Sequence, residues 1–546
     1  MAAKVVIAAL LHTVVGYTWP DSRTDYLETI LYQQTGYRQE EMAFAVVPCS
    51  RNIFVDREKR IISAEWFRTA YHDMATADVE AGTGGIDGSI GFETDRAENV
   101  GTAFNGSTGF FVTLQSARGS MADLIALGAQ MSLASCSDGN MQIPYRAGRI
   151  DATEAGPPGV PEPQQDLDSH TASFKKQGFN VTEMIGLVAC GHSIGGVHGV
   201  DFPDIVDHDL EGDERQDFDQ TVAHFDNVVA KDFVGNISQN PLAFGHNHTT
   251  RSDARIFNAD GGDLIHRMAE SNDFFIDTCK DLVERMLNTV PRGVELTAPI
   301  EPVVVKPDHL WITINDDNTK TLGGEIRVHG STSPSARRVL ILVRGQGGGL
   351  TGHNVFARTR DGLEGGGLYP NMPTFTFYEF ETTVPAAFAI SFFAVDIIGP
   401  NGFRKRFDNN GAGLPWVDAV IPQIHDTSCR NLESEVIEID ENNFFIIITH
   451  TLRLVAAMRD AGFEKLVLSV PRPVEMPDTL AVRFEQEEVV MDKVDGFEGS
   501  GYARYEANYS FKLNVLGPML HYDLIAVGPN GNTTNAFNPW KDLRVC

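Results

Sequence analysis

Asn180 to His198 reads NVTEMIGLVACGHSIGGVH, a nearly uncharged helical stretch with a histidine near its far end. Asn180 is placed to cap the first turn, with Glu183 three residues on as its reciprocal partner, and Gly195-Gly196 stops the helix. His192 therefore falls in the last turn of an apolar segment, where an unpaired imidazole is costly to bury. Two partners would satisfy it: a backbone carbonyl, the ordinary fate of a core histidine, or a metal such as a haem iron. This stretch alone favours the carbonyl. A second stretch upstream reverses the preference.

That second stretch is Lys59 to Ala75, KRIISAEWFRTAYHDMA, with apolar residues at helical spacing. Arg68 and His72 are four apart and project from one face, an odd pair on a mainly apolar helix. Gly84 to Ile90, GGIDGSI, is a glycine turn presenting Asp87 and Ser89, oxygen donors of the type calcium prefers. Ser120 to Cys136 reads as a buried helix with a serine cap, in which Met121 and Met131 pack. After the His192 helix comes Phe218 to Asp226, FDQTVAHFD, again rich in oxygen donors. Ser252-Asp253 and a helix over about 273–289 follow. His246 and His248 have no third ligand fixed by spacing, so they read as solvated.

From Ile300 onward the apolar period changes from 3.6 to 2. Leu310–Ile314, Val339–Val343, Phe375–Phe380 and Phe388–Ile398 read as strands between Gly, Pro and Asn turns, the pattern of β-sandwiches. Three tags recur in one order: Asp361-Gly-Leu-Glu-Gly365 as Asp495-Gly-Phe-Glu-Gly499, Gly399-Pro-Asn-Gly402 as Gly528-Pro-Asn-Gly531, and Pro415-Trp-Val-Asp418 as Pro539-Trp-Lys-Asp542. They imply two copies of one domain joined near 420–428, with Cys429 and Cys546 bracketing the second. Thr449–Met458 reads as helical and would make that copy imperfectly all-β.

The 546 residues leave room for about three or four domains. With 74 acidic against 44 basic residues the formal charge is −30, which repels phosphate backbones and anionic membrane surfaces, so nucleic acid and membrane partners are excluded. Lys4 followed by the apolar run Val5–Val15 reads as a secretory signal over residues 1–16, too short to span a bilayer. Six cysteines and N-x-Ser/Thr triplets at Asn105, Asn180, Asn236, Asn247, Asn508 and Asn532 agree with a secreted, disulfide-bonded glycoprotein. No C-x-x-C-H occurs, which excludes ordinary covalent haem attachment.

Taken together, residues of about 40–290 resemble the plant, fungal and bacterial haem peroxidase superfamily, and within it the secreted fungal (ascomycete-type) peroxidases. Five ordered motifs carry the likeness: Arg68-Thr-Ala-Tyr-His72-Asp73, Gly85-Ile-Asp87-Gly-Ser89, Gly191-His192-Ser193, Phe218-Asp219-Gln-Thr221-Val-Ala-His224-Phe-Asp226, and Ser252-Asp253. The resemblance implies a mostly α haem peroxidase domain over 17–299, followed by Ig-like or fibronectin-like sandwiches over 300–424 and 425–546. It implies haem b with His192 as iron ligand, Asp253 as acceptor of that histidine's second proton, and Phe218 beside the haem. His72 becomes the acid–base group and Arg68 the stabiliser of charge on the leaving oxygen, with a ferryl intermediate. It implies two calcium ions: one on Asp73, Gly85, Asp87 and Ser89, the other on Ser193, Asp219, Thr221, His224 (through its carbonyl) and Asp226. Cys49 and Cys136 resemble the bridge framing the first of these sides, while Cys190 and Cys279 either pair or stay as buried thiols.

The departures narrow the expectation. Tyr71 stands where phenylalanine or tryptophan is usual, and reads as packing. The asparagine that orients the catalytic histidine has two candidates, Asn99 and Asn105. Phe218 replaces the redox tryptophan of some relatives, Ile61 and His198 break the acidic manganese trio that Glu65 begins, and Leu187 replaces a surface tryptophan. The expected partners are therefore hydrogen peroxide and a small phenol-like reductant, with cell-wall or glycan contact through the β modules. The alternative is a haem-binding or cell-wall interaction protein that uses the fold as a scaffold. Retention of both Arg68 and His72 favours the enzyme, since a binder needs neither.

Overall fold

The computed structural model describes residues 18–546 apart from 41, 54–58, 207–214, 331–336, 347–351, 370, 426–427, 441–442 and 514–516. The expected signal segment lies outside the described residues. Up to about residue 290 the chain is mainly helical, and from Val305 onward it is almost entirely strand.

The helices form where capping and apolar spacing coincide. Ser120 accepts the Asp123 amide to start Met121–Cys136, a helix buried on every face at the centre of the largest apolar cluster. Helix Ile62–Met74 packs against it, burying Trp66, Phe67 and Ala70 and leaving Arg68 and His72 on a face of their own. Helix Val181–Gly191 carries the full capping box, Asn180 accepting from the Glu183 amide and Glu183 from the Asn180 amide. Cys190 is bonded to Cys279 of helix Asn272–Leu287, which resolves the choice between bridge and thiols; Cys49–Cys136 and Cys429–Cys546 are also bonded.

The β half holds two units, each with two sheets whose inner faces share a buried cluster. In the first, Thr374–Pro385, Thr319–His329 and Val305–Ile314 face Ile390–Ile398 and Arg338–Gly345. In the second, Tyr502–Leu513, Asn443–Arg459 and Cys429–Asp440 face Lys465–Glu475 and His521–Val527. The repeated tags fall at like places: each Gly-Pro-Asn-Gly closes an edge hairpin, and Trp416 and Trp540 are each buried in their own unit's core. Strand Val420–Pro422 pairs with Ala456–Met458, so the chain reaches the second unit's sheet before Cys429.

One expectation fails. Thr449–Met458 is the second half of strand Asn443–Arg459, paired on one side with residues 429–433 and 420–422 and on the other with residues 503–512. Its Leu, Ala and Met residues favour helix locally, but a central strand with two ladders and a buried face overrides propensity.

A buried charge network docks the first β unit onto the helices. Glu28 in helix Asp25–Tyr32 accepts from Lys306 at 2.6 Å, from Arg327, and from the Val303 amide at 3.0 Å. Burial opposes ionisation of Glu28, but the two cations outweigh it and hold the carboxyl below its ordinary pKa. Thr35–Gly36 adds a short strand beside Gly365–Gly366. Removing one partner of such a pair leaves buried charge uncompensated, so Glu28→Ala should cost ~3–5 kcal/mol. Denaturant unfolding of the full chain measures it; a loss under about 1 kcal/mol, the range of an exposed pair, would contradict the network's role.

Candidate active site

His72 and His192 line one cavity of ≈ 680 Å³, together with Arg68, Phe218, Leu187 and Ile194. His72 lies in the last turn of its helix and is 9% exposed. Its Nδ1 is 2.8 Å from Asn99 Oδ1, and Asn99 Nδ2 donates to the Glu93 carbonyl at 2.9 Å. The second bond fixes which end of the Asn99 amide is oxygen. An amide oxygen only accepts, so His72 carries its proton on Nδ1 and leaves Nε2 as the basic nitrogen. The choice left open in the sequence falls to Asn99, which is fully buried, whereas Asn105 is exposed.

Arg68 donates to the Val100 carbonyl at 3.1 Å and lies over the Phe104 ring at 4.6 Å, and the same ring meets His72 at 4.8 Å. Burial lowers the Arg68 pKa to about 10, so the guanidinium stays charged at neutral pH. Burial and then the Arg68 charge push the His72 pKa down to about 3, against the hydrogen bond that His72 donates to Asn99.

On the other side, His192 caps its helix, its amide bonded to the Val188 carbonyl at 2.9 Å. Its Nδ1 is 2.8 Å from Asp253 Oδ2, and its ring stacks on Phe218 at 4.4 Å and 19°. Asp253 is fully buried in helix Ser252–Phe257, and Asn240 donates to the same oxygen at 2.7 Å. With Nδ1 engaged, Nε2 is the ring nitrogen left for another ligand.

Residues 51–271 match the family model described as Peroxidase. They form a peroxidase-family domain. Relatives include a "WSC domain-containing protein" of Arthroderma benhamiae, 38% identical over 393 residues, covering 70% of this chain and 52% of the relative. That alignment is longer than the peroxidase segment, so it extends beyond it. Two Arabidopsis thaliana proteins match shorter stretches. "Putative L-ascorbate peroxidase 6" is 29% identical over 137 residues, 23% of this chain and 39% of the relative; "L-ascorbate peroxidase 5, peroxisomal" is 31% identical over 133, 24% and 47%. The chain spans about half the length, or less, of these curated relatives.

The remaining sequence candidates of the peroxidase domain fall into two loops. Asp73 accepts the amides of Asp87, Gly88 and Ile90, which folds the 85–90 turn around the carboxylate following His72. Gly85 sits at φ +112, and a Cβ there would lie 2.6 Å from the Thr289 carbonyl oxygen, so no side chain fits. Burial and the neighbouring Asp87 drive the Asp73 pKa well up, and Ser89 Oγ is buried with no hydrogen-bond partner. On the His192 side, Thr221 Oγ1 bridges Asp219 at 3.3 Å and Asp226 at 3.0 Å. Burial raises the Asp219 pKa to about 7, and its Oδ2 is buried without a partner. Ser193 instead donates to the Cys190 carbonyl, and the His224 ring is half exposed. Crowded carboxylates beside orphaned oxygens are the chemistry a hard cation relieves. Among the described residues, no three His, Cys, Asp or Glu side chains converge as a metal cluster, so any ion here would depend on hydroxyl and carbonyl oxygens as well.

Tyr71 stacks on Phe174 at 6.0 Å and burial raises its pKa, in keeping with packing. Glu65 is taken up by Arg60 at 2.6 Å. Leu187 is 3% exposed and faces the cavity, so this position offers no surface route. His246 and His248 are exposed. The sequence reading missed Asn240, which its Asn-Pro signature marks as a helix cap but not as a partner of Asp253.

The His72 shift has a definite sign. Unfolded, the ring takes a proton near pH 6.5; folded, only near pH 3. Between these values the unfolded state binds more protons, so the native state loses stability as pH falls from 6.5 toward 3. His72→Gln removes that titration, and its stability relative to the parent should improve steadily across the window in pH-dependent denaturant unfolding. A pH-independent difference would contradict a ring held neutral.

Proposed function

We propose that this chain is a haem-dependent peroxidase that reduces hydrogen peroxide and oxidises small phenol-like donors one electron at a time. The observation that carries the reading is one cavity lined by both histidines, each with Nδ1 engaged by an oxygen acceptor. The residues fit haem b: the cavity is within the range of cofactor pockets, its lining is largely apolar, and His192 offers Nε2 with Asp253 to keep that nitrogen electron-rich. A haem held there by His192 would supply the redox chemistry, its iron and porphyrin together storing the two oxidising equivalents of peroxide for return to the donors one electron at a time.

The chain's own part is proton handling and charge stabilisation. His72 Nε2 takes the proton from the near oxygen of HOOH and delivers it to the far oxygen as the O–O bond breaks, releasing water. Arg68, charged and sheltered, stabilises the negative charge on that departing oxygen. Asn99 holds the His72 tautomer through the cycle, and Phe218 packs the His192 ring so that it cannot rotate from Asp253. Asp73, Gly85, Asp87 and Ser89 would hold one calcium ion, and Ser193, Asp219, Thr221, His224 and Asp226 a second, each set adjoining one of the two histidines in sequence.

We read the chain as exported. Support comes from three disulfides, with no free cysteine among the described residues, and from exposed sequon asparagines at 105, 180, 236, 508 and 532. Among the described residues no helix is long and apolar enough to cross a membrane. The β units, read as Ig-like or fibronectin-like sandwiches over 300–424 and 425–546, are where cell-wall or glycan contact would occur.

Haem titration and stopped-flow kinetics test the assignment. His192→Ala should lose the Soret band of the parent. His72→Ala should keep it while kcat/KM for peroxide falls ~10²–10⁴-fold, and Arg68→Ala should do the same with a fall of ~10²–10³-fold. Undiminished haem in the first, or parent-like rates in the other two, would contradict the assigned roles.

A further inference from the structure

We propose that Gln115 is a positioning residue, through which a hairpin of the second β unit holds the 85–92 segment and thereby the His72 helix. The loop 476–481, between strands Lys465–Glu475 and Val482–Val490, packs into the helical domain. Ala481 and Val482, 4% and 1% exposed, belong to the same buried cluster as Trp66 and Phe111.

Two glycines admit the loop. A Cβ on Gly91 would lie 2.3 Å from Thr479 Oγ1, and one on Gly109 would lie 3.4 Å from Leu480 Cδ1. Gly91 belongs to the turn Ser89–Phe92, and Gly109 to helix Ala103–Phe111, whose Phe104 touches both Arg68 and His72.

Gln115 joins the loop to the site by hydrogen bonds. Its Oε1 accepts the Val482 amide at 3.0 Å, and its Nε2 donates to the Val482 carbonyl at 2.9 Å and to Asp151 Oδ2 at 3.0 Å. Asp151 accepts the Met121 and Ala122 amides at the start of the central helix, and the adjoining Ala152 amide donates to the Asp87 carbonyl at 2.7 Å. The Asp87 and Gly88 amides in turn hold Asp73, the residue after His72. Gln115 is 1% exposed, so its loss leaves the Val482 groups unsatisfied and Asp151 short of a donor. Each step from the β unit to His72 is thus a hydrogen bond or a peptide link, a contiguous physical network of the kind that carries coupling.

The test uses the full chain with Gln115→Met, which keeps the volume and removes the bonds, and Leu480→Ala, which loosens the loop without touching Gln115. Hydrogen–deuterium exchange is read over 85–92, and peroxide kinetics are read as kcat/KM for peroxide against donor-limited kcat. In both variants exchange over 85–92 should rise at least about threefold, and kcat/KM for peroxide should fall by a like factor with donor-limited kcat unchanged. Faster exchange confined to 476–490, with 85–92 at parent rates, would overturn the brace. If Gln115→Met does not fold, Leu480→Ala alone decides between these outcomes. The kinetic arm rests on the peroxidase reading; a parent with no peroxide turnover would sink that reading, while the exchange arm still decides the brace.

Discussion

The acceptor on each histidine's Nδ1 is the constraint on which the site depends. An imidazole has one basic nitrogen when neutral, and the side chain that takes the Nδ1 proton decides that it is Nε2. At His72 the acceptor is a neutral amide, Asn99, itself locked by the Glu93 carbonyl. At His192 it is a carboxylate, Asp253, buried and further bonded by Asn240. The difference in charge matters: an amide leaves His72 a weak base suited to passing a proton on, whereas a carboxylate enriches His192 in the way a metal ligand requires. Burial and Arg68 reinforce the first effect by disfavouring the imidazolium.

Those acceptors are placed by the rest of the fold. Asn99 lies on the connection after the 85–92 segment, whose path is set by Asp73. Asp253 starts a short helix packed against the His192 helix, and the Cys190–Cys279 bridge anchors that helix beside its neighbour. The β units are not loosely appended. The first is docked through the Glu28 network with Lys306 and Arg327, and the second through the 476–481 loop in the cluster around Trp66. Chain folded hundreds of residues downstream therefore shapes the ground on which His72 stands.

Local features were legible in the sequence. The Asn180 capping box, the Ser120 cap, the placement of Arg68 and His72 on one face and the repeated Trp416 and Trp540 tags each follow from a few neighbouring residues, and each is found. What could not be read is set by contacts across long separations. Asn99 and Asn105 look alike until the fold buries one; Asn240 looks like a cap until Asp253 is beside it; Gln115 looks like an ordinary loop residue until Val482 arrives. Thr449–Met458 was misread for the same reason, since two flanking strands outweigh local helix preference.

The central claim is that both rings address one group within one cavity. Anomalous diffraction at the iron absorption edge, from crystals of the protein supplied with haem, tests it most directly. The account predicts one strong iron peak in the cavity bordered by His72 and His192, within bonding distance of His192 Nε2. An iron peak elsewhere on the molecule, or one in the cavity with His192 unbound and Asp253 turned from it, would contradict it.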